Sequence, residues 1–126
     1  MSTAENSTLD DLIDDWLTLP DVAEQLGVEV GAVRGLVDSR HLIGVKRGPR
    51  TTFQVPAAFL VEGPDGAPHV VETLRGTVML LGDAGFSDGE ALQWLFTPEE
   101  SLDARPVDAL RAGRRAQVRR VAQALA

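Results

Sequence analysis

Apolar residues near the start of the chain recur with the spacing of one face of an α-helix. Five of them fall at positions i, i+3, i+4, i+7 and i+8 of one run, namely Leu9, Leu12, Ile13, Trp16 and Leu17. This pattern predicts a helix that begins near residue 9, with Trp16 in the core. Thr8 precedes the run and the acid Asp11 follows three residues later, which is typical of an N-cap. The small, polar residues before the run predict a flexible tail over residues 1–8.

Two short helices separated by a tight turn are predicted over residues 19–39. Pro20 suits the first position of the first helix, and Gly27 suits its end, because glycine readily adopts a positive φ. The second helix is predicted over residues 29–39. Ala23 is small enough to let this second helix cross closely, and the apolar spacing around the glycine is typical of a helix-turn-helix.

A β-hairpin is predicted directly after the second helix. Two β-prone runs, residues 42–47 and 50–55, are separated by Gly48 and Pro49, which favour a turn. A hairpin in this position is a wing, and its tip carries basic residues. The predicted fold class is therefore mainly α with a small β-hairpin wing, and a winged helix-turn-helix domain is assigned to residues 9–61.

The second half of the chain is predicted to be helical. Residues 62–68, EGPDGAP, indicate a linker or loop because glycine, proline and acidic residues dominate them. Residues 69–126 are assigned to a C-terminal helical domain that packs against the first. Its helix start signals are Ser87 with Glu90, Thr97 with Pro98, and Pro106. The last helix is predicted over residues 114–125.

Charge is distributed unevenly along a chain whose formal net charge is −7. Residues 1–15 carry −5 and residues 56–104 carry −8, whereas residues 34–55 carry +4 and residues 105–126 carry +5. An overall negative charge argues against indiscriminate nucleic-acid binding, but it leaves binding by a local basic patch open. The first of the two basic segments coincides with the second helix and the wing.

This basic segment favours a DNA-binding protein that acts in transcriptional regulation. The second helix would enter the major groove of double-stranded DNA, and the wing tip would reach the adjacent phosphate backbone or minor groove. The predicted DNA contacts are Arg34, Arg40, Lys46, Arg47, Arg50 and Thr51. The start of the second helix offers one arginine and neither Asn nor Gln for base readout, so modest affinity and strong salt dependence are expected. A winged helix used for protein contacts, or a solvated basic face, is the alternative.

Several classes of function find no support in the sequence. The chain has no cysteine, and its two histidines lack metal-ligand spacing, so neither thiol chemistry nor a zinc site is predicted. No catalytic triad, phosphate-binding loop or dinucleotide motif is present, so neither an enzyme nor a cofactor is predicted. No apolar run reaches the roughly 18 residues of a membrane span, and the acidic N-terminus is unlike a signal peptide. A cytoplasmic protein without a membrane partner is therefore expected.

Two stretches of the chain are similar to a known family. They are LTLPDVAEQLGVEVGAVRGLVDSRHLIGVKRG (residues 17–48) and GDAGFSDGEALQWLFTPEESLDARPVDALRAGRRAQVRRVAQALA (residues 82–126). Together they resemble the actinobacterial winged-helix DNA-binding proteins known in mycobacteria as a substrate of a membrane Ser/Thr protein kinase. The resemblance implies a small cytoplasmic DNA-binding protein, a Ser/Thr protein kinase as a partner, and lower DNA affinity after phosphorylation of an N-terminal threonine. The Ser7-Thr8-Leu9 segment resembles that site, so Thr8 is the expected phosphorylation site.

The C-terminal half is also similar to the helical toxin-binding region of antitoxins that carry a WL-x-TP…RP-x-x-L signature. This similarity implies an alternative function, in which the C-terminal helices bind a partner protein or a second copy of the chain. An arginine run near the end of the chain has two interpretations, an extension of the DNA footprint or a solvated face. The run consists of Arg111, Arg114, Arg115, Arg119 and Arg120.

Overall fold

The structure is a computed structural model that describes the backbone of residues 3–125 and the side chains of residues 8–125. This part of the chain contains seven α-helices and five β-strands. The helices are α1 (Thr3–Leu12), α2 (Leu19–Leu26), α3 (Val30–Asp38), α4 (Leu74–Asp83), α5 (Asp88–Leu95), α6 (Pro106–Arg111) and α7 (Arg115–Gln123). The strands are β1 (Trp16–Thr18), β2 (Val45–Arg47), β3 (Thr52–Pro56), β4 (Leu60–Glu62) and β5 (Pro68–Val70). The predicted fold class, mainly α with a small hairpin wing, is confirmed.

The first helix lies earlier in the sequence than its apolar pattern predicts. Helix α1 begins before Thr8 and ends at Leu12, so Thr8 lies inside the helix and is not its N-cap. The prediction that the helix continues through Trp16 and Leu17 is wrong, because these residues form β1 and pair antiparallel with β3. Tryptophan favours extended structure, and the pairing with β3 satisfies the backbone groups of both residues. The flexibility of the N-terminal tail stays a prediction, and residues 1 and 2 lie outside the described residues.

The predicted helix-turn-helix is present as α2, a tight turn and α3. Thr18 caps α2, since its Oγ1 accepts from the Asp21 amide (3.3 Å) and Asp21 Oδ2 accepts from the Thr18 amide (3.2 Å). Gly27 ends the helix with a φ of +69°, as the turn requires. Helix α2 packs against α3, and Val22 and Val33 are fully buried. This packing fixes α3 by its inner face and leaves its outer face in solvent.

The predicted wing is the hairpin of β2 and β3. Strand β3 lies in the centre of an antiparallel sheet in the order β1-β3-β2, with Val45 opposite Gln54 and Arg47 opposite Thr52. The wing tip is the turn at residues 48–51. Because β3 also pairs with β1, the wing is anchored to residues that precede the helix-turn-helix.

The segment predicted to be a linker or loop is the loop of a second hairpin. Strands β4 and β5 pair antiparallel, with Leu60 opposite Val70. In the loop between them, the Gly63 amide donates to the Ala67 carbonyl (2.9 Å), and the Ala67 amide donates to Asp65 Oδ1 (3.1 Å). Glycine and proline favour the turn, and the β-prone residues on either side of it pair as the strands of a hairpin. The two halves of the chain consequently share one hydrophobic core.

The C-terminal helices follow most of their predicted start signals. Ser87 and Glu90 form the capping box of α5, and Pro106 lies in the first turn of α6. The prediction of an α-helix starting at Pro98 is wrong, because the chain forms only one 3₁₀ turn, Glu100–Leu102. Glu99 pairs with Ala104 in an antiparallel bridge around this turn, so backbone groups that a helix would need are already engaged.

Candidate nucleic-acid interface

Four of the six predicted DNA contacts are exposed to solvent. Arg34 lies on α3, Lys46 lies on β2, and Arg50 and Thr51 lie at the wing tip. None of the three cations forms an ion pair with another described residue. Exposed, unpaired cations on the second helix and the wing are suited to bind the phosphates of DNA.

The wing tip is held by a strained turn. Thr51 has a φ of +52°, in a region that β-branched residues rarely adopt. Its amide donates to the Gly48 carbonyl (3.0 Å), and Gly48 itself has a φ of +83°. The turn fixes the backbone of Arg50, which lies between these two residues, while the Arg50 side chain stays exposed.

The Arg47 side chain contacts three neighbours within the protein. Its guanidinium carbon lies 4.4 Å from the centroid of the Trp16 ring, and its Nη1 donates to Gln54 Oε1 (3.3 Å). Its Nη2 forms an ion pair with the carboxylate of Asp10 in α1. The apolar pattern predicts Trp16 in the core. In the structure Trp16 is only partly buried, and the Arg47 guanidinium stacks on the face of its ring. Arg47 therefore has to leave Asp10 before its full charge is available to a phosphate.

Arg40 is likewise engaged within the protein. It follows α3 with a φ of +69°, and its guanidinium binds both carboxylate oxygens of Asp88 at 2.6 Å and 3.1 Å. This hydrogen-bonded pair raises the pKa of Arg40 above its ordinary value. Next to it, Arg75 Nε donates to the Ser39 carbonyl (2.8 Å). These contacts fasten the end of α3 to α4 and to the first turn of α5.

The outer face of α3 offers few groups that can read bases. Glu29, Gly31, Ala32 and Arg34 are all exposed at its start. Glu29 occupies the N-cap position, but its side chain makes no capping hydrogen bond. Arg34 is the one exposed side chain among these four that can bind guanine in a bidentate manner. The surface is thus better suited to phosphate and shape recognition than to dense base readout.

The arginine run at the end of the chain divides into two groups. Arg111 donates to the carbonyls of Ala58 (2.7 Å) and Leu60, and Arg114 donates to the Leu102 carbonyl (2.7 Å). Arg111 thereby joins α6 to the segment before β4, and Arg114 joins the start of α7 to the 3₁₀ turn between α5 and α6. The side chains of the other three arginines are exposed and form neither an ion pair nor a hydrogen bond with described residues. They are Arg115, Arg119 and Arg120.

Metal-binding and membrane-spanning features are absent from the described residues. No group of three or more His, Cys, Asp or Glu side chains in residues 8–125 is placed to hold a metal ion. None of the helices described has both the length and the apolar character that crossing a membrane requires. The surface of α3 and the wing therefore remains the candidate site.

Comparisons with known proteins match both halves of the chain. The family model described as DNA-binding protein Rv2175c, wHTH domain, matches residues 6–60, and the Rv2175c C-terminal domain of unknown function matches residues 71–126. The DNA-binding protein Rv2175c of Mycobacterium tuberculosis (strain ATCC 25618 / H37Rv) is 38% identical over 120 residues, which cover 86% of this chain and 78% of that protein. The NMR structure of Rv2175c matches with a TM-score of 0.74 and 38% identity, over 89% of this chain and 81% of that chain.

Proposed function

This chain belongs to the family of the winged helix-turn-helix DNA-binding protein Rv2175c, and we propose that it binds double-stranded DNA as a transcriptional regulator. Helix α3 lies in the major groove, and the wing tip lies on the adjacent backbone. One observation carries this proposal: Arg34, Lys46 and Arg50 are exposed without an ion-pair partner among the described residues of a protein with net charge −7.

The proposed DNA contacts form two groups, those without an ion-pair partner among the described residues and those already paired within the protein. Lys46, Arg50 and Thr51 contact phosphates from the wing, and Arg34 contacts a phosphate at the edge of the major groove from α3. Arg47 adds a further phosphate contact only after it leaves Asp10. Arg40 acts mainly by positioning α3, because its bidentate pair with Asp88 occupies its guanidinium.

Fluorescence anisotropy with a labelled DNA duplex of mixed sequence tests this proposal. Binding is measured from about 25 to about 300 mM salt, and the logarithm of the affinity is expected to fall linearly with the logarithm of salt concentration. Three phosphate contacts by cations, or four with Arg47, predict a slope of about −2.7 to −3.6. No binding at the lowest salt concentration, or binding that salt does not weaken, contradicts the proposal.

Asp10→Asn is expected to strengthen DNA binding by about three- to tenfold near 100 mM salt. The substitution removes the carboxylate that pairs with Arg47, so Arg47 can make a further phosphate contact. This contact makes the salt slope more negative by about 1. Asp11→Asn is the matched control, because Asp11 is exposed in the same helix and forms no ion pair with described residues. If anisotropy shows equal gains in DNA affinity for the two variants, the gain comes from weaker repulsion between the acidic helix and DNA, and not from release of Arg47.

Phosphorylation of Thr8 is proposed to weaken DNA binding, and Thr8→Glu is expected to raise the Kd by about two- to threefold. Thr8 lies in α1 two residues before Asp10, within the acidic segment that contacts the wing. Added negative charge there increases the repulsion of phosphates. Thr97→Glu adds the same charge at the end of α5 and serves as the control. Anisotropy titrations in which both variants bind alike count against the role of Thr8.

A second candidate function, partner binding by the C-terminal helices, is favoured by one observation. Arg115, Arg119 and Arg120 on α7 are exposed and unpaired among the described side chains, and they lie outside the winged segment. This function is compatible with DNA binding because it uses a different set of cations.

A further inference from the structure

We propose that the groove between α4 and α7 binds an acidic, amphipathic segment of a partner protein. The groove has a volume of about 860 Å³. Helices α4 and α7 pack against each other, and each carries a buried valine, Val78 in α4 and Val118 in α7. The rim of the groove consists of exposed side chains from both helices.

The rim of the groove on α7 is strongly basic. Arg115, Arg119 and Arg120 line it, and no described carboxylate pairs with any of them. Arg115 and Arg119 lie four residues apart on the same face of the helix, where like charges destabilise an isolated helix. An acidic segment bound in the groove removes this repulsion and supplies the missing counter-charges.

The rim on α4 adds an apolar contact. Met79 is 41% exposed and lines the groove together with the partly buried Leu80. Methionine adapts to irregular partner side chains, and it is common in surfaces that bind amphipathic helices. A segment with apolar anchors on one face and acidic residues beside them matches both rims.

Nucleic acid and a second copy of the chain fit the groove less well. Met79 and Leu80 line the groove beside the arginines, and a DNA backbone offers these apolar side chains no apolar partner. A symmetric dimer whose two-fold axis passes through the α7 rim would place the arginines of one α7 near those of the other. The acidic N-terminal segment of this chain is engaged elsewhere, because α1 packs against α5 and its Asp10 pairs with Arg47.

The test uses a fluorescein-labelled synthetic helical peptide of about 16 residues with leucines at i, i+4 and i+7 and glutamates flanking them. Two control peptides replace either the leucines by serine or the glutamates by glutamine. The full-length protein is titrated by anisotropy at about 50 mM salt. We expect saturable binding of the first peptide with a Kd on the order of 10–100 µM, and at least about fivefold weaker binding of each control.

Variants then locate the binding surface. Arg115→Glu/Arg119→Glu/Arg120→Glu is expected to weaken peptide binding at least about tenfold, and Met79→Ala at least about threefold. The charge-reversed variant is expected to keep the wild-type circular dichroism spectrum and wild-type DNA affinity to within about threefold. Lys46→Glu/Arg50→Glu, which also reverses wing charges, is expected to leave peptide binding unchanged.

Four outcomes overturn the proposal. Equal binding of the serine control peptide shows a non-specific polyanion surface, and absence of saturable binding of the first peptide up to about 1 mM shows no docking site of this chemistry. A tenfold loss of DNA affinity in the α7 variant assigns its arginines to nucleic acid. A dimer seen by sedimentation in the wild type but not in that variant assigns the groove to self-association. The groove proposal rests on the partner binding proposed for the C-terminal helices, whereas DNA binding is measured separately in the same samples, so the groove and the DNA interface fail or stand independently.

Discussion

Simultaneous replacement of Arg34, Lys46 and Arg50 by alanine is expected to weaken binding to a duplex by about 100-fold or more near 100 mM salt. The three side chains are exposed, and their charges are not neutralised by other described residues. Each one that contacts a phosphate releases about 0.9 of a condensed cation, so the salt slope becomes less negative by about 2.7. Anisotropy across a salt series measures the affinity and the slope together.

The matched control removes the same charge from the other basic surface. Arg115→Ala/Arg119→Ala/Arg120→Ala on α7 changes the net charge equally, but its arginines lie outside the winged segment. We expect its DNA affinity to stay within about threefold of the wild type. If both triple variants lose affinity and slope equally, binding depends on net charge alone, and the contacts assigned to α3 and the wing are wrong.

Addition of Arg47→Ala to the α3 and wing variant is expected to change affinity little. In the structure the Arg47 charge is already neutralised by Asp10, and the guanidinium stacks on the Trp16 ring. The variant therefore distinguishes a cation that is free to meet DNA from one that the protein retains. Sequence alone does not distinguish Arg47 from Arg50 in this respect, since both are basic and both lie in the hairpin.

The features that the sequence predicted well depend on neighbours a few residues apart. Gly27 ends a helix because of its own φ, and Ser87 caps α5 by bonding to Glu90 three residues away. The same holds for the hairpin turn after β2. Such signals are contained in a few consecutive residues, so they predict the local structure without any tertiary contact.

The features that the sequence did not predict depend on partners far along the chain. Arg40 pairs with Asp88 across 48 residues, and Arg47 pairs with Asp10 across 37. Trp16 continued a helical stripe by spacing, yet its pairing with β3 made it a strand residue and a platform for Arg47. Which predicted DNA contacts are already occupied is thus a property of the fold, because tertiary contacts override local periodicity.

Gly44→Ala is expected to lower the free energy of unfolding by about 1–3 kcal/mol. Gly44 is buried where the chain enters β2, and an alanine Cβ at this position would overlap the Gln54 carbonyl oxygen and lie 2.9 Å from Val55 Cγ1. Both neighbours belong to β3, the central strand of the sheet. The backbone of β3 therefore has to move, and no change of side-chain rotamer relieves the overlap with the carbonyl.

The same substitution links the stability of the wing to its function. Displacement of β2 from β3 shifts Lys46 and the turn that carries Arg50, so DNA affinity is expected to fall by about three- to tenfold although no charge is lost. Gly76→Ala is the control: Gly76 lies in α4, its added Cβ would meet no atom within 4 Å, and alanine there is expected to stabilise the protein by about 0.5–1 kcal/mol. Thermal and urea unfolding followed by circular dichroism measure both variants. Wild-type stability in Gly44→Ala would mean that β2 and β3 do not approach as closely in solution, and the wing would then be looser than its strand pairing indicates.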